Sequence, residues 1–283
     1  MNSLAQIEPV DYLLIGHVTQ DVTPAGFALG GTVSFAALTA RAFGKKVGIV
    51  TACTPDLKLP ELEGIAVIRK TSARNTIFEN SNTPAGRVQH IRAVAEKISL
   101  ADVPLAWLET PIVHLGPVAA ELEPSLAQAF PHSMLGITPQ GWLRSWDKLG
   151  RVSFTDWPQA SSVLRHARVV VLSTEDVRGS EEVILDYASE VPVLVVTEGA
   201  AGARIYWNGD VRHIRPPKEV EVDAVGAGDI FAASFFIRYS ATHDPWESAR
   251  VATLLAARSV TRKSLAGVPD PAEVQTSLTE IIH

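Results

Sequence analysis

Residues Asp223-Ala224-Val225-Gly226-Ala227-Gly228-Asp229 constrain this chain more than any other stretch. They join an extended, alternating run containing Val220 and Val222 to an apolar helix expected to begin near Ile230-Phe231-Ala232-Ala233. Such a junction is a strand–turn–helix unit, the building block of α/β folds. The glycines give the turn backbone angles closed to other residues. The helix then presents its unpaired N–H groups at its N-terminus, where an anion binds well. Asp229 falls in the first turn beside them. Backbone donors plus a carboxylate suit phosphoryl transfer to a hydroxyl: the donors hold the charge on the moving group, and the carboxylate takes the alcohol proton. The plainer reading of these residues is a tight turn whose acidic residue complements the helix dipole.

The rest of the chain supports an α/β reading. Short apolar runs at Tyr12–Ile15, Val47–Val50, Ile112–Leu115, Val169–Leu172 and Val193–Val196 mark buried strands. Helical patterns occupy Thr32–Phe43, Ser161–His166, Glu181–Ala188, Pro245–Val260 and Pro271–Ile282. Strands alternating with helices predict a mostly parallel sheet covered on both faces. One stretch breaks the alternation: Thr76–Asn80 and Arg87–Ile91 read as extended segments around the turn-rich Ser81-Asn82-Thr83-Pro84-Ala85-Gly86, a hairpin signal.

A length of 283 residues allows one large α/β domain or two small ones. A net charge of −6, with no Lys/Arg run, argues against a nucleic-acid-binding surface. The single cysteine, Cys53, excludes an intramolecular disulfide and any Cys-rich zinc site, and reads as a small buried hydrophobe. No signal peptide is evident and the apolar runs are too short to span a bilayer, so a cytoplasmic protein without membrane partners is expected. His-Glu-x-x-His and Gly-x-Ser-x-Gly motifs are missing, which leaves metalloprotease and α/β-hydrolase readings without support.

The 223–229 string resembles the Asp-Thr-x-Gly-Ala-Gly-Asp signature of the ribokinase-like, PfkB-type carbohydrate kinases, departing from it only in Ala224 for Thr. The resemblance implies a three-layer α/β/α, Rossmann-like ribokinase fold over residues 1–283, with a small β-sheet lid built from strands near 17–28 and 74–98. It implies Asp229 as catalytic base and the backbone of Gly226, Ala227 and Gly228 as the anion hole. It also implies ATP and Mg2+ as cofactors, and a homodimer formed through the lid.

Other stretches follow from the same resemblance. Gly30-Gly31 precedes the first long helix and lets a polar ligand approach the backbone closely, or serves simply as a turn. In the family a Gly-Gly pair followed by Asn lines the sugar pocket; here Phe35 stands at the Asn position, so Gly30, Gly31 and Phe35 are expected at the substrate, with an aromatic wall in place of one polar contact. Asp21 matches an early acidic residue that binds substrate hydroxyls, a role suited to a carboxylate accepting from a vicinal diol; capping a turn is its alternative. Thr197, Gly199 and Gly202 match a Thr-x-Gly-x-x-Gly stretch contacting the nucleotide. Ser173 and Asp176 stand where the family has Asn and Glu, placing Ser173 by the phosphates and Asp176 by the metal; the same residues would make a helix N-cap. In Thr138–Arg144, Thr138 replaces an acid and Arg144 is retained. Gly-Gly followed by Thr-Val-Ser-Phe, with His114-Leu115-Gly116-Pro117-Val118, looks like the plant myo-inositol kinase branch. The expected activity is ATP-dependent phosphorylation of a small polyol or sugar. A nucleoside kinase of the same family, and a non-catalytic metabolite sensor on the same scaffold, are the alternatives.

Overall fold

The computed structural model describes residues 7–83 and 86–279. In chain order its strands and helices are β1 (Tyr12–Ile15), β2 (Thr19–Thr23), β3 (Gly26–Gly30), α1 (Thr32–Ala42), β4 (Val47–Cys53), β5 (Ala66–Thr71), β6 (Thr76–Thr83), β7 (Gly86–Ala93), β8 (Ile112–Leu115), β9 (Met134–Ile137), β10 (Arg144–Trp146) and β11 (Val152–Phe154). They continue with α2 (Ala160–Leu164), β12 (Val169–Ser173), α3 (Glu181–Glu190), β13 (Val193–Thr197), β14 (Ala203–Trp207), β15 (Asp210–Ile214), α4 (Ala227–Thr242), α5 (Pro245–Ser259) and α6 (Pro271–Thr279).

Nine strands form the main sheet in the order β15-β14-β13-β12-β9-β8-β1-β4-β5. The seven from β13 to β5 are parallel, and β14 and β15 extend the sheet antiparallel. Side chains alternate between two apolar layers. Tyr12, Leu14, Ile49, Val171 and Val195 pack with α1, α4 and α5, while Leu13, Ile15, Val50, Leu172 and Val196 pack on the other face with α2 and α3. That two-sided burial explains why the parallel strands read as unbroken apolar runs rather than alternating ones. Cys53 lies buried in the first of these layers. Strand order reverses at β1, and loops beyond the carboxyl ends of the strands meet there, where open α/β sheets bind ligands.

The expected small sheet is present, in the order β3-β2-β6-β7. Two antiparallel hairpins are joined by parallel pairing of β2 with β6. In the loop from β6 to β7, Pro84 and Ala85 lie outside the described residues, as do positions 280–282 of the expected last helix. The buried His17 ties the roots of this sheet together. One ring nitrogen is 2.7 Å from Thr76 Oγ1 at the start of β6, and the other is 2.9 Å from the Glu96 carbonyl beyond β7. The His17 backbone N–H donates to the buried Glu121 carboxylate (3.0 Å), which also takes the Val118 and Ala119 N–H groups.

Three local expectations change. The run through Val220 and Val222 is not a strand; both side chains are exposed, and the Val222 and Asp223 N–H groups donate to the Val260 carbonyl after α5. The helix starts at Ala227, earlier than its apolar run suggests, because the glycine turn itself supplies the N-cap. Ser173–Asp176 opens a series of turns, and α3 begins only at Glu181, capped by Ser180. Strands β5, β9, β14 and β15 and the β10–β11 hairpin lacked a sequence signal strong enough to be expected. Among the described residues, no helix is long and apolar enough to cross a membrane.

Candidate active site

The centre of the site is the turn into α4. Gly226, its N-cap, has φ 83°, a left-handed conformation suited to glycine. The turn is braced from behind: Asp223 Oδ1 accepts from the Val225 N–H (3.0 Å) and Oδ2 from the Ser264 N–H (2.9 Å). Asp223 is thus a structural carboxylate. Gly226, Gly228 and Ala224 line a cleft of about 200 Å³, whereas the Ala227 N–H is turned back to the Ala224 carbonyl at 3.3 Å. The structure therefore brings Gly226 and Gly228 to the cleft as anion-hole candidates and engages Ala227 within the turn.

Asp229 sits half-buried in the first turn of α4, on the cleft wall. Burial pushes its carboxyl up to about 6. A hydrogen bond from the Thr32 hydroxyl and the positive charge of Arg144 pull the other way, while Asp176 and Asp21 add to the rise. A carboxylate with this pKa is ionised at neutral pH yet basic enough to accept a proton.

Opposite Asp229 stands one face of the small sheet. Asp21 on β2 is paired in register with Phe78 on β6, and Asn80 on β6 with Gln89 on β7; all four line the cleft, as does Thr19. Gly30 lies against Asp21: a Cβ there would be 2.5 Å from the Asp21 carboxylate. Gly31 caps α1 and lines the cleft. Phe35 reaches the cleft floor, yet it is only 1% exposed and packs with Ile230, Val251, Leu255 and Val274. Its ring supports the glycine turn more than it walls a ligand.

A second cleft, of about 270 Å³, adjoins the first and shares Gln89, Gln140 and Arg144 with it. Arg144 stands above the Phe78 ring, 5.9 Å from its centre, and its guanidinium donates to the Val118 carbonyl at 3.4 Å. Asp176 lines this second cleft. Burial raises its pKa against the opposing pull of Arg144. Both its oxygens accept hydrogen bonds, Oδ2 from the Ser173 N–H (2.8 Å) and Oδ1 from the Gln140 amide (3.2 Å). A metal would fit there through water or through the lone pairs these bonds leave. Among the described residues, no group of three or more His, Cys, Asp or Glu side chains could hold a metal by itself.

Thr197, Gly199 and Gly202 form the turn after β13, one strand beyond Ser173. The Thr197 hydroxyl donates to the Leu172 carbonyl at 3.4 Å, and neither cleft is lined by these three residues. Beneath the first cleft runs a buried chain. The Tyr12 hydroxyl is 3.1 Å from His114 Nδ1, and His114 Nε2 is 3.0 Å from Thr138 Oγ1. Burial lowers the His114 pKa to about 3, so the ring is neutral. A Cβ on Gly116 would meet both Thr32 and Thr138, which places the end of this chain next to the residue that orients Asp229.

Sequence reasoning missed Thr19, Thr32, Phe78, Asn80, Gln89 and Gln140. Thr32 and Gln140 were within reach, since one follows the Gly30-Gly31 pair and the other lies between Thr138 and Arg144.

Residues 157–272 match the pfkB family carbohydrate kinase. An inositol 3-kinase of Zea mays is 34% identical over 102 residues, 35% of this chain. That match spans only 26% of the maize protein. A cytidine kinase of Thermococcus kodakarensis is 24% identical across 90% of this chain and 97% of its own length. Among solved structures, a pyrophosphate-dependent kinase of the ribokinase family, complexed with a pyrophosphate analog and myo-inositol, superposes with TM-score 0.78 at 19% identity. That superposition covers 94% of this chain and 99% of the other.

Proposed function

We propose that the chain is a ribokinase-like kinase of the pfkB carbohydrate kinase type and that it transfers a phosphoryl group to a hydroxyl of a small polyol or sugar, a reading supported by the pfkB match over residues 157–272 and by the shared fold. The observation that carries this reading is Asp229, held by Thr32 at the first turn of α4 with its carboxyl raised to about 6 and with Asp21 also on the cleft. Asp21 accepts from acceptor hydroxyls and orients the ring. Asp229 takes the proton from the hydroxyl that attacks. The N–H groups of Gly226 and Gly228, at the positive end of α4, stabilise the phosphoryl oxygens in flight. Arg144, shared by both clefts, adds positive charge on the side of Asp176.

The donor we propose is ATP, with Thr197, Gly199, Gly202 and Ser173 along the loops after β13 and β12 holding its nucleotide and phosphates. Mg2+ would neutralise phosphate charge, and Asp176 would hold it, together with the donor phosphates and water. Pyrophosphate is a second donor reading, favoured by the structural neighbour that uses it.

The test is product formation from ATP and, separately, pyrophosphate, across inositols, pentoses, hexoses and nucleosides, with Asp229→Asn alongside. Acceptor-dependent turnover that collapses in the variant supports the kinase. Donor and acceptor binding without turnover would favour a sensor.

A further inference from the structure

We propose that Glu121 is a positioning residue: its buried carboxylate joins the small sheet to the main sheet and so places Asp21 and Arg144 around the cleft with Asp229; the kinetic consequence rests on the polyol kinase reading above. Strands β1 and β8 are parallel neighbours whose chains part beyond their carboxyl ends. The Gly16 and Gly116 N–H groups still donate within the sheet, to the Val50 and Ile15 carbonyls. The buried donors on His17, Val118 and Ala119 lie beyond that ladder, and all three go to the Glu121 carboxylate at 2.7–3.0 Å. Buried N–H groups must find partners, and here one side chain serves three. Glu121 is itself only 1% exposed, and a buried charge is costly unless such bonds match it. Ala120, just before it, has φ 53°, a conformation that residues with a side chain rarely adopt and that persists where the surroundings impose it. The turn folds the carboxylate back onto its own loop.

Three parts of the cleft hang on this joint. Val118 and Ala119 form a buried apolar cluster with Phe78 of β6 and Ile91 of β7, so the small sheet rests on residues whose N–H groups Glu121 holds. The Val118 carbonyl takes the Arg144 guanidinium at 3.4 Å. His17 leads into β2, where Asp21 pairs in register with Phe78. Asp229 and the glycine turn belong to α4 and lie outside the joint. An amide in place of the carboxylate has one oxygen and one NH2 group. Whichever way it turns, either His17 or Ala119 faces a donor, because the two bond to different oxygens. The joint is then open on one side. A small sheet that spends part of its time undocked lowers the apparent acceptor affinity by the docked fraction, whereas saturating acceptor selects the docked form. Loss of the joint therefore raises KM and spares kcat.

The test compares full-length wild type with Glu121→Gln, and with Ser133→Ala as a control for general loosening. The Ser133 hydroxyl is buried and donates to the Thr110 carbonyl (2.7 Å) at the opposite ends of the strands, away from the joint. Hydrogen exchange in Glu121→Gln should accelerate in β2 and β6 by at least about 10-fold relative to β12 and β13. With myo-inositol varied and the better of the two donors saturating, KM should rise about 10-fold while kcat stays within about two-fold. Ser133→Ala should show neither change. Exchange that is unchanged or uniformly faster overturns the proposal, as does a KM that stays at the wild-type value or moves equally in Ser133→Ala. Glu121→Asp keeps both acceptor oxygens one methylene short and should show a smaller shift of the same kind; if Glu121→Gln does not fold, the aspartate variant is judged by the same criteria. If the wild type does not phosphorylate myo-inositol, the polyol reading fails for that acceptor, and exchange alone decides the joint: selective acceleration of β2 and β6 supports it, and any other pattern overturns it.

Discussion

The Phe35 ring lies directly beneath Gly226: a Cβ built on that glycine would fall 2.2 Å from two of the ring carbons. Helix α1 thereby supports the glycine turn into α4 through one side chain. Gly226→Ala combines a left-handed alanine with overpacking, each costing about 1–3 kcal/mol. We expect a loss of about 2–6 kcal/mol, read by chemical denaturation, and loss of turnover. Adding Phe35→Leu should recover part of that stability, giving a non-additive double-mutant cycle. Strict additivity would show that the contact is not the cause.

Asp229→Asn should lower turnover roughly 10²–10⁴-fold while leaving the circular dichroism spectrum intact. Because the base form is needed, wild-type kcat/KM should fall as pH drops through about 6. The stability sign is also set. A carboxyl raised in the folded state destabilises it progressively as pH rises from near 4 through 6. Asp229→Asn should therefore gain stability relative to wild type at pH 7 and show no such gain at pH 4. A variant whose gain is the same at both pH values would refute the raised pKa.

Charge neighbours should move that acid limb in opposite directions. Arg144→Met removes a charge that lowers the Asp229 pKa, so the limb should shift upward. Asp176→Asn removes a charge that raises it, and the limb should shift downward. The pH–rate profiles of whichever variants retain activity decide this.

Gly30→Ala would press against the Asp21 carboxylate. The expected outcome is an acceptor KM raised roughly 10–100-fold, the worth of about one charged hydrogen bond, with kcat changed little. Asp21→Ala should do the same. A fall in kcat with unchanged KM in both variants would place Asp21 outside acceptor binding.

Thr76→Val removes the hydroxyl that joins His17 to β6 and takes the Ala95 N–H. We expect about 1–3 kcal/mol of destabilisation. Hydrogen exchange should accelerate in β6 and β7, while β1, β8 and β12 keep their protection. Uniform acceleration would mean that the small sheet does not open as a unit.

Much of the architecture was legible because the parallel strands are buried on both faces, which turns them into apolar runs such as Val169–Leu172 that hardly another element produces. The antiparallel β15, Asp210–Ile214, is largely exposed and polar, and nothing in its pattern separates it from a loop. Asp229 and Asp21 were legible through the motifs around them. Asn80 and Gln89 were not, since two amides in a polar hairpin acquire meaning only when cross-strand register puts them on one face. Phe35 was visible as a departure from the family, but its packing under Gly226 depends on how α1 and α4 meet, a tertiary fact absent from local sequence. Asp223 shows the reverse: it stands in the signature, and its work is to brace the turn from outside the cleft.

The Tyr12–His114–Thr138 chain has a consequence for the field at the site. The histidine loses its proton far below neutrality and burial pushes the Tyr12 phenol well up, so no member of the chain changes charge across the range in which enzymes work. The ground under the glycine turn is electrically silent. Acidification reaches Asp229 without a second, cationic imidazole arriving underneath to attract the phosphoryl group or hold the carboxylate ionised. The floor gives dipoles of fixed orientation and contributes no titration of its own, so the acid limb of this protein's activity should be read as the signature of its cleft carboxylates.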